Sequence, residues 1–418
     1  MSNTTHVLKY YLFSFSNFMA AFGGGMILGK GIGIINSPFL KGDSLLAFFA
    51  GSVLGLFSLQ LIPEKYAKNV ARCFAIFAGL TSIILLILFD NFSVNGKLEN
   101  IPAFIFFLFL SMRFGFWFYS RVLRATDAAG QKQKIAWVEL GYYLGMIFGL
   151  IIWQFLSINI PLRFALILDV ILQITAGLLD IFASQIPVPQ LSPILTEKMS
   201  SPTTNKNNMS PAWRLASAVA LLTVATQVII FNLAHQVTEW FSSYIIAFYY
   251  FGVSIAAFTC KKLTIQLDWN NSFASAVIYC DANKAKQFNF LSGTTLSILS
   301  VLIITIGIIH YNWGTLSYTQ NNTLLNIGWN EILLLFFITI SGFLYEILAL
   351  ALLDRIGFED QSSNHKKMVM RTYAMMAISA ALSLWMLEAM KNSVVNLFLV
   401  LSFCLIGIAL TTRKSVTV

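Results

Sequence analysis

Six polar side chains interrupt long apolar runs of this sequence: Asn17, Arg113, Asp169, Thr223, Gln227 and Glu346. A charged group in the centre of a bilayer costs at least about 2.5–3.5 kcal/mol, so ionisable residues in such runs are candidates for binding a solute or carrying a proton. Arg113 keeps its charge and must face an acid, backbone carbonyls or a water-filled cavity. Glu346 can take up a proton when it is desolvated, which is the property of a proton carrier.

Structural roles compete with these functional ones. Asn17 and Gln227 could each form a hydrogen bond between helices. Asp169 could form a structural ion pair or be protonated. His235 and Glu239 lie one turn apart in a short segment between two apolar runs. They could form an outer proton relay or be an ordinary solvated pair.

The motifs of the common enzyme classes are missing from the sequence. It contains no GxSxG, HExxH or Walker GxxxxGK[ST] pattern, each of which carries a known catalytic or phosphate-binding geometry. The four cysteines show no CxxC or Cys/His spacing, so neither a metal site nor a disulfide framework is indicated. We therefore expect no catalytic residue, no metal, no cofactor and no ATP-driven transport by this chain alone.

The composition indicates which elements must position the polar residues. Of the 418 residues, 57% are apolar and only 11% are charged, with a mean hydropathy of +0.74. Soluble globular proteins carry about 25% charged residues. The composition excludes a cytosolic enzyme, a nucleic-acid-binding protein and a disordered chain, and it indicates a multi-pass protein in a lipid bilayer.

Twelve apolar runs reach the length of about 20 residues that crosses a bilayer as a helix. They lie at 7–29, 44–62, 70–90, 101–121, 135–156, 161–182, 212–233, 239–260, 288–310, 329–353, 368–388 and 392–412. The first run is expected to be a span rather than a cleaved signal peptide. Five of the nine prolines lie between Ala183 and Pro211, which is typical of a linker. We expect an all-α integral membrane protein with six-helix bundles at 1–182 and 212–418, joined by a linker at 183–211.

Basic residues predict the orientation of the chain. If both termini face the cytoplasm, 21 of the 27 Lys and Arg residues lie in cytoplasmic segments, five lie in outer segments, and Arg113 lies within a span. Cytoplasmic loops carry an excess of Lys and Arg, so we expect both termini and the linker inside the cell. The net charge of +9 then requires no nucleic-acid partner. The expected location is the plasma (inner) membrane.

Small residues recur in the fifth run. The segment GYYLGMIFGLIIW places Gly141, Gly145 and Gly149 four residues apart, on one face of a helix. Such spacing lets a second helix approach closely. The alternative is ordinary helix packing without a special role.

Together these features resemble a major facilitator superfamily transporter, which has twelve spans, both ends inside and two six-helix halves joined by a cytoplasmic linker. Local motifs carry part of the likeness. Glu64, Lys65 and Lys68 are similar in charge to the family's acidic and basic loop after the second span. Asp354 and Arg355 begin a similar D-R-x-G string after the tenth span. The resemblance implies that these two segments are cytoplasmic gate loops.

Two further spans resemble the family at functional positions. Arg113 matches the position of the family's fourth-span arginine, without the Gln-Gly that usually follows it. The glycines of the fifth span resemble the antiporter motif, with Met146 in place of proline and Leu150 in place of the last glycine. This likeness favours efflux. In that fold the first, fourth, seventh and tenth spans line a central cavity, and here those spans carry Asn17, Arg113, Gln227 and Glu346.

The resemblance implies a secondary active transporter that moves a small organic solute by alternating access of its two halves. We expect proton-coupled export of a metabolite, drug or siderophore-like solute by a monomer. An uncoupled or import-direction permease of the same fold is the alternative, as is a non-transporting membrane scaffold or enzyme. We expect Glu346 to share the cavity with Arg113. Arg113 would bind an anionic solute and Glu346 would carry the proton, with Asp169 as the next candidate.

Overall fold

The computed structural model of the protein describes residues 3–34, 47, 50–55, 67–95, 97–99, 101–113, 132–156, 161–186, 211–228, 230, 234, 239–260, 264–268, 275–279, 287–291, 329–359, 372, 374–376, 378–380, 382–383, 403–404 and 406. Most of this part of the chain is helical. The long helices are α1 Asn3–Ile34, α2 Ala67–Phe92, α3 Ile101–Arg113, α4 Lys132–Leu156, α5 Leu162–Gln185, α6 Pro211–Thr223, α7 Glu239–Cys260 and α8 Trp329–Glu359.

These helices lie in the predicted runs one, three, four, five, six, seven, eight and ten. Helical residues 50–55 fall in the second run, and the described positions between 372 and 406 fall in the last two. Among the described residues, two stretches are long and apolar enough to cross a bilayer, Leu8–Leu28 and Leu162–Gln185, and shorter apolar stretches lie in α2, α3, α4, α6 and α7. We call α1–α5 the N-terminal helices and α6–α8 the C-terminal helices. The linker expected at 183–211 is described only at its two ends.

A short hairpin joins α2 to α3. Strand β1, Ser93–Val94, pairs antiparallel with β2, Lys97–Leu98. Asn95 lies in the turn with φ of 53°, a left-handed conformation that asparagine adopts more readily than most residues. The tight turn brings the end of α2 close to the start of α3.

The described residues are nearly all helical, as expected, but a second group of strands besides the β1–β2 hairpin departs from the all-α expectation. Residues Thr264–Asp268, Ser275–Tyr279 and Gln287–Leu291 form a three-stranded antiparallel sheet, β3 to β5. The sequences TIQLD and QFNFL alternate polar and apolar residues, which is the period of a strand. Strand β5 occupies the start of the run predicted at 288–310. The rest of that run lies outside the described residues.

Helix α1 runs parallel to α4 along a line of close contact. Gly141 lies against the backbone of Ser14, and Gly149, two turns later, lies against the backbone of Phe22. Contacts that advance together along both helices require a parallel pair. A side chain in place of either glycine would collide with the α1 backbone.

Helix α5 lies against α1 in the opposite direction. The side chain of Gln173 on α5 donates to the carbonyl of Ala20 on α1 at 2.9 Å. Lys9, which comes earlier in α1, donates to the carbonyl of Ile186, which comes later than Gln173, at 3.2 Å. Contacts that advance in opposite directions require an antiparallel pair. Helices α1, α4 and α5 lie in the first, fifth and sixth predicted runs. If successive runs cross a membrane in alternating directions, the first and fifth are parallel and the sixth is antiparallel to them.

The exposed face of α5 carries large apolar side chains and its buried face carries three polar ones, the reverse of a helix in a soluble protein. Its exposed side chains include Phe164, Ile167, Ile171, Ile174, Leu178 and Phe182. Its buried side chains include Asp169, Gln173 and Asp180. Such a helix suits a hydrocarbon surround, since the polar groups find partners only inside the protein.

Candidate functional site

A buried ion pair joins three of the N-terminal helices. Arg113, the last described residue of α3, donates from Nη1 to Oδ2 of Asp169 on α5 at 2.5 Å. The same nitrogen donates to Oγ of Ser82 on α2 at 2.7 Å. Arg113 is 1% exposed and Asp169 is fully buried. The pair therefore holds α2, α3 and α5 together through charge-assisted hydrogen bonds.

Helix α1 supplies the remaining surroundings of the Asp169 carboxylate. Gln173, one turn along α5, donates from Nε2 to Oδ1 of Asp169 at 3.1 Å. Gly23 of α1 lies directly beside the same oxygen, and a Cβ at that position would collide with it. The glycine therefore makes the room in which the carboxylate sits. Both oxygens of Asp169 are engaged within the N-terminal helices.

The ion pair of Asp169 with Arg113 is the structural role that was one of the alternatives for Asp169. We expected Glu346 to share the cavity with Arg113, because its run was expected to line that cavity. Asp169 takes that position because it lies on the face of α5 that packs inward, beside the small residue of α1. The guanidinium charge is thus balanced by a neighbour on an adjacent helix rather than by an acid on the C-terminal helices.

Glu346 lies in a second buried cluster, where N-terminal and C-terminal helices meet. The hydroxyl of Tyr143 on α4 donates to the carboxylate of Glu346 on α8, with 3.3 Å to each oxygen. The Tyr143 ring stacks on the ring of Tyr250 of α7, with 5.9 Å between centroids and 25° between planes. The contact between Tyr143 and Glu346 therefore bridges the two sets of helices.

Two further ring contacts and one contact between hydroxyls extend this cluster through the C-terminal helices. Tyr249 meets Tyr250 edge-on at 5.7 Å and lies 6.0 Å from the ring of Tyr345. The Tyr345 hydroxyl lies 3.4 Å from Oγ1 of Thr223 on α6. We call Tyr143, Tyr249, Tyr250, Tyr345 and Glu346 the tyrosine cluster. All five are buried.

A π-helical turn follows α6 beside the tyrosine cluster. Residues Val224–Val228 form this wider turn, which contains the backbone of Gln227. Thr223, just before it, and Thr226, within it, donate to the carbonyls one turn earlier. Single π turns inside helices are frequent at functional sites. The side chain of Gln227 lies outside the described residues.

The glycines of the fifth run pack inside one half. Gly141, Gly145 and Gly149 face Ser14, Phe18 and Phe22 of α1, through backbone contacts. Their partner is an N-terminal helix rather than a helix across the boundary between the halves. A matching close approach joins α7 to α8, where Gly252 faces Thr339 and Gly342 faces Tyr249. This second pair gives no local signal in the sequence, because its glycines lie on different helices.

A third polar group lies at the start of α1. Ser16 donates to Oδ1 of Asp180 at 2.7 Å, and Lys9 lies over the ring of Phe13 at 5.7 Å from its centroid. Asn17 is buried beside them on α1. Asp180 is also buried, although it was not among the polar residues that the apolar runs singled out. Its spacing of eleven residues, or three turns, from Asp169 would have placed it on the same face.

The remaining predicted residues are described in part or not at all. Glu64, Lys65 and His235 lie outside the described residues. Lys68 lies in the first turn of α2 and Glu239 begins α7, but their side chains are not described. Asp354 and Arg355 lie within α8, which continues to Glu359. They belong to a helix rather than to the loop that we expected.

Comparisons with known proteins give a likeness of fold. No protein-family model matches this sequence, and no curated protein matches it. Among solved structures, it is similar to a crystal structure of a bacterial homologue of the iron transporter ferroportin in an outward-facing state. That similarity has a TM-score of 0.55 at 11% sequence identity and covers 97% of each chain. At this level of identity the similarity is one of fold alone.

Proposed function

We propose that this protein is a monomeric secondary transporter of the plasma (inner) membrane, which exports a small organic solute in exchange for protons. The observation that carries the proposal is the contact between Tyr143 and Glu346, a buried ionisable group at the boundary between N-terminal and C-terminal helices. Transporters that alternate access place such groups where their two halves part. The likeness of fold to a transporter supports the same function.

The position of this contact suggests an inner gate. In the predicted orientation, Tyr143 lies nearer the cytoplasmic end of the run 135–156, and Glu346 lies nearer the cytoplasmic end of the run 329–353. A contact there closes the inner side while leaving the outer side free to open. The solved neighbour was captured in an outward-facing state, in which the inner side is closed.

Glu346 is the group that we propose to carry the coupling proton. As a carboxylate it accepts a charge-assisted hydrogen bond from Tyr143, which is stronger than a neutral one. Protonation removes that charge and weakens the bond across the halves. The neutral form then lets the inner gate open, and the charged form holds it closed. Asp169 is the alternative carrier, but its charge is matched by Arg113.

Solute flux in proteoliposomes, with and without an imposed pH gradient, tests this function. The panel holds metabolites and siderophores, and it includes ferrous iron because the solved neighbour is a homologue of an iron transporter. Glu346→Gln mimics the protonated acid, so flux driven by the pH gradient should stop. Flux that ignores the pH gradient in the natural protein would favour the uncoupled permease. Full gradient-driven flux in Glu346→Gln would remove this residue as the proton carrier.

A further inference from the structure

We propose that the tyrosine cluster is a binding site for an organic cation, such as a quaternary ammonium or a protonated amine. This inference rests on the proposed function and specifies its substrate class. It starts from the chemistry of the side chains that meet there. One carboxylate, Glu346, lies among the rings of Tyr143, Tyr249, Tyr250 and Tyr345.

Aromatic rings and a carboxylate attract the same kind of ligand. The face of a tyrosine ring carries negative potential and attracts a cation within about 6 Å of its centroid. The ring-to-ring distances in the cluster, 5.7–6.0 Å, bring the four tyrosine rings together in one small region. The carboxylate adds a full negative charge to that region. Burial strengthens both attractions, because water no longer screens them.

A second observation points to a ligand at this place. The hydroxyl of Tyr249 is fully buried and makes no hydrogen bond of normal geometry within the described part of the chain, with Thr226 as a polar neighbour. A buried hydroxyl without a hydrogen bond is costly, and it often marks a place where a ligand or water binds. Thr226 belongs to the π turn at Val224–Val228, so this turn lies next to the hydroxyl of Tyr249.

The charge distribution favours a cation over the anionic solute that we expected. Arg113, the residue expected to bind an anion, already pairs with Asp169. Its positive charge is balanced within the N-terminal helices. Glu346 accepts a hydrogen bond from the hydroxyl of Tyr143 where N-terminal and C-terminal helices meet. The carboxylate and the ring faces of the tyrosine cluster attract positive charge rather than negative charge.

The same cluster favours an organic cation over a metal ion. Calcium binds six to eight oxygen ligands, and magnesium requires a near-octahedral set. The tyrosine cluster offers one carboxylate and otherwise mainly the flat faces of rings. Such faces suit alkylammonium groups, which are large, weakly hydrated and partly apolar.

Binding and gating compete for the same carboxylate. In this structure the hydroxyl of Tyr143 lies at equal distance from both oxygens of Glu346. A cation that enters when the inner side opens would replace this hydroxyl. A proton on Glu346 would exclude the cation. Because proton and cation cannot share the carboxylate, their exchange across the membrane follows without any further coupling device.

Binding to the purified full-length protein tests the inference with matched probes. Benzyltrimethylammonium and tetraphenylphosphonium serve as cations, and benzenesulfonate and tetraphenylborate serve as anions of similar shape. Tryptophan fluorescence or equilibrium dialysis measures affinity. We expect the cations to bind at least about tenfold more tightly than the anions, and Glu346→Gln to remove that preference. Equal binding of anions and cations, or unchanged cation binding in Glu346→Gln, would overturn the inference.

Variants at the tyrosines separate binding from folding. Tyr143→Phe keeps the ring but removes the competing hydroxyl, so cations should bind at least as tightly as to the natural protein. Tyr250→Phe should also bind, whereas Tyr250→Leu should bind several-fold more weakly because the ring face is lost. Tyr142→Phe, the same change one residue earlier on α4, is the matched control and should leave binding unchanged. If Tyr250→Leu binds cations normally, the rings are not part of the site.

Flux measurements distinguish failure of this inference from failure of the proposed function. Gradient-driven flux of an anion or neutral solute, with no cation bound or moved, would overturn the cation site and leave the transporter intact. Cation binding without flux of any solute would support the site and contradict the transporter. Gradient-driven cation flux that Glu346→Gln abolishes would support both.

Discussion

At the scale of single residues, the ion pair between Arg113 and Asp169 is the contact at which loss of one charge should cost the most stability. Both partners are buried, and each makes one further hydrogen bond, Arg113 to Ser82 and Asp169 from Gln173. A buried ion pair contributes little when compared with an apolar pair of similar size, but removal of one partner leaves an uncompensated charge. The pair therefore acts mainly to specify how α2, α3 and α5 meet.

Loss of one partner should be far more costly than loss of both. Asp169→Asn leaves the guanidinium of Arg113 buried beside a neutral group, so the free energy of unfolding should fall by about 3–5 kcal/mol. The double variant Arg113→Met with Asp169→Leu should recover most of that loss. Thermal unfolding in detergent measures both.

A surface pair supplies the control for this measurement. Arg163 lies 3.1 Å from Asp90, with 65% and 34% of their side chains exposed. Exposed ion pairs contribute about 0–1 kcal/mol, so Asp90→Asn should change unfolding very little. A loss in Asp169→Asn as small as that in Asp90→Asn would contradict the structural role of the buried pair.

At the scale of the elements, close helix packing is set by glycine and by small polar groups. The stripe Gly141, Gly145 and Gly149 brings α4 against the backbone of α1. In a membrane, such close approach stabilises helix pairs through van der Waals contact rather than through the hydrophobic effect. The stripe therefore belongs to the packing within one half.

A side chain at this stripe should destabilise the N-terminal helices. In Gly145→Ala the new Cβ would collide with the carbonyl of Phe18, and forced overpacking typically costs about 1–3 kcal/mol. Gly79→Ala on α2 is the matched control, because its Cβ would meet only Cγ1 of Ile174 at 3.3 Å. Thermal unfolding should separate the two. A stable Gly145→Ala that loses proton coupling would instead support the antiporter-like role of the stripe.

The predictions that succeeded are those that depend on local signals in the sequence. Apolar runs depend on neighbouring residues alone, so the run predicted at 239–260 coincides with α7, Glu239–Cys260. The partner of Arg113 depends on which face of α5 packs inward, which no run of apolar residues reveals. The sheet β3–β5 was missed because a search for long apolar runs passes over alternation within five-residue segments.

The tyrosine cluster shows the same limit within the candidate site. Thr223 and Glu346 were predicted as pathway residues from their types, and the structure brings both to this cluster through Tyr345 and Tyr143. Tyr249 and Tyr345 could be considered from sequence as contacts for an amphiphilic solute, but equally as packing residues, since aromatic residues are common in membrane helices and at their interfaces. Their meeting required three helices to be placed together.

At the scale of the whole molecule, the proposed function depends on the orientation of the chain in the membrane and on the relative motion of its helices. The balance of basic residues, 21 of 27 on one side, predicts which face is cytoplasmic. The contacts between α4 and the pair α7 and α8 give one place where the two halves touch. Alternating access requires that such contacts break and form again in each cycle.

Labelling of introduced cysteines tests the orientation. In a background without the four natural cysteines, Asn205→Cys in the linker should resist a membrane-impermeant maleimide added from outside. Ser317→Cys, in a stretch predicted to lie outside, should react readily. Both positions lie beyond the described residues, so this prediction rests on the positive-inside rule alone. Labelling of Asn205→Cys from outside would overturn the orientation.

A reversible link across the inner gate tests whether the halves part there. The rings of Tyr143 and Tyr250 stack at 5.9 Å between centroids, on helices of different halves. A short thiol-reactive linker between Tyr143→Cys and Tyr250→Cys should therefore stop solute flux in proteoliposomes, and cleavage of the linker should restore it. The same linker between Gly79→Cys and Ile174→Cys joins two N-terminal helices that need not separate, so flux should continue. Continued flux with the gate linked would show that α4 and α7 stay together throughout the cycle. The boundary that opens would then lie elsewhere in the molecule.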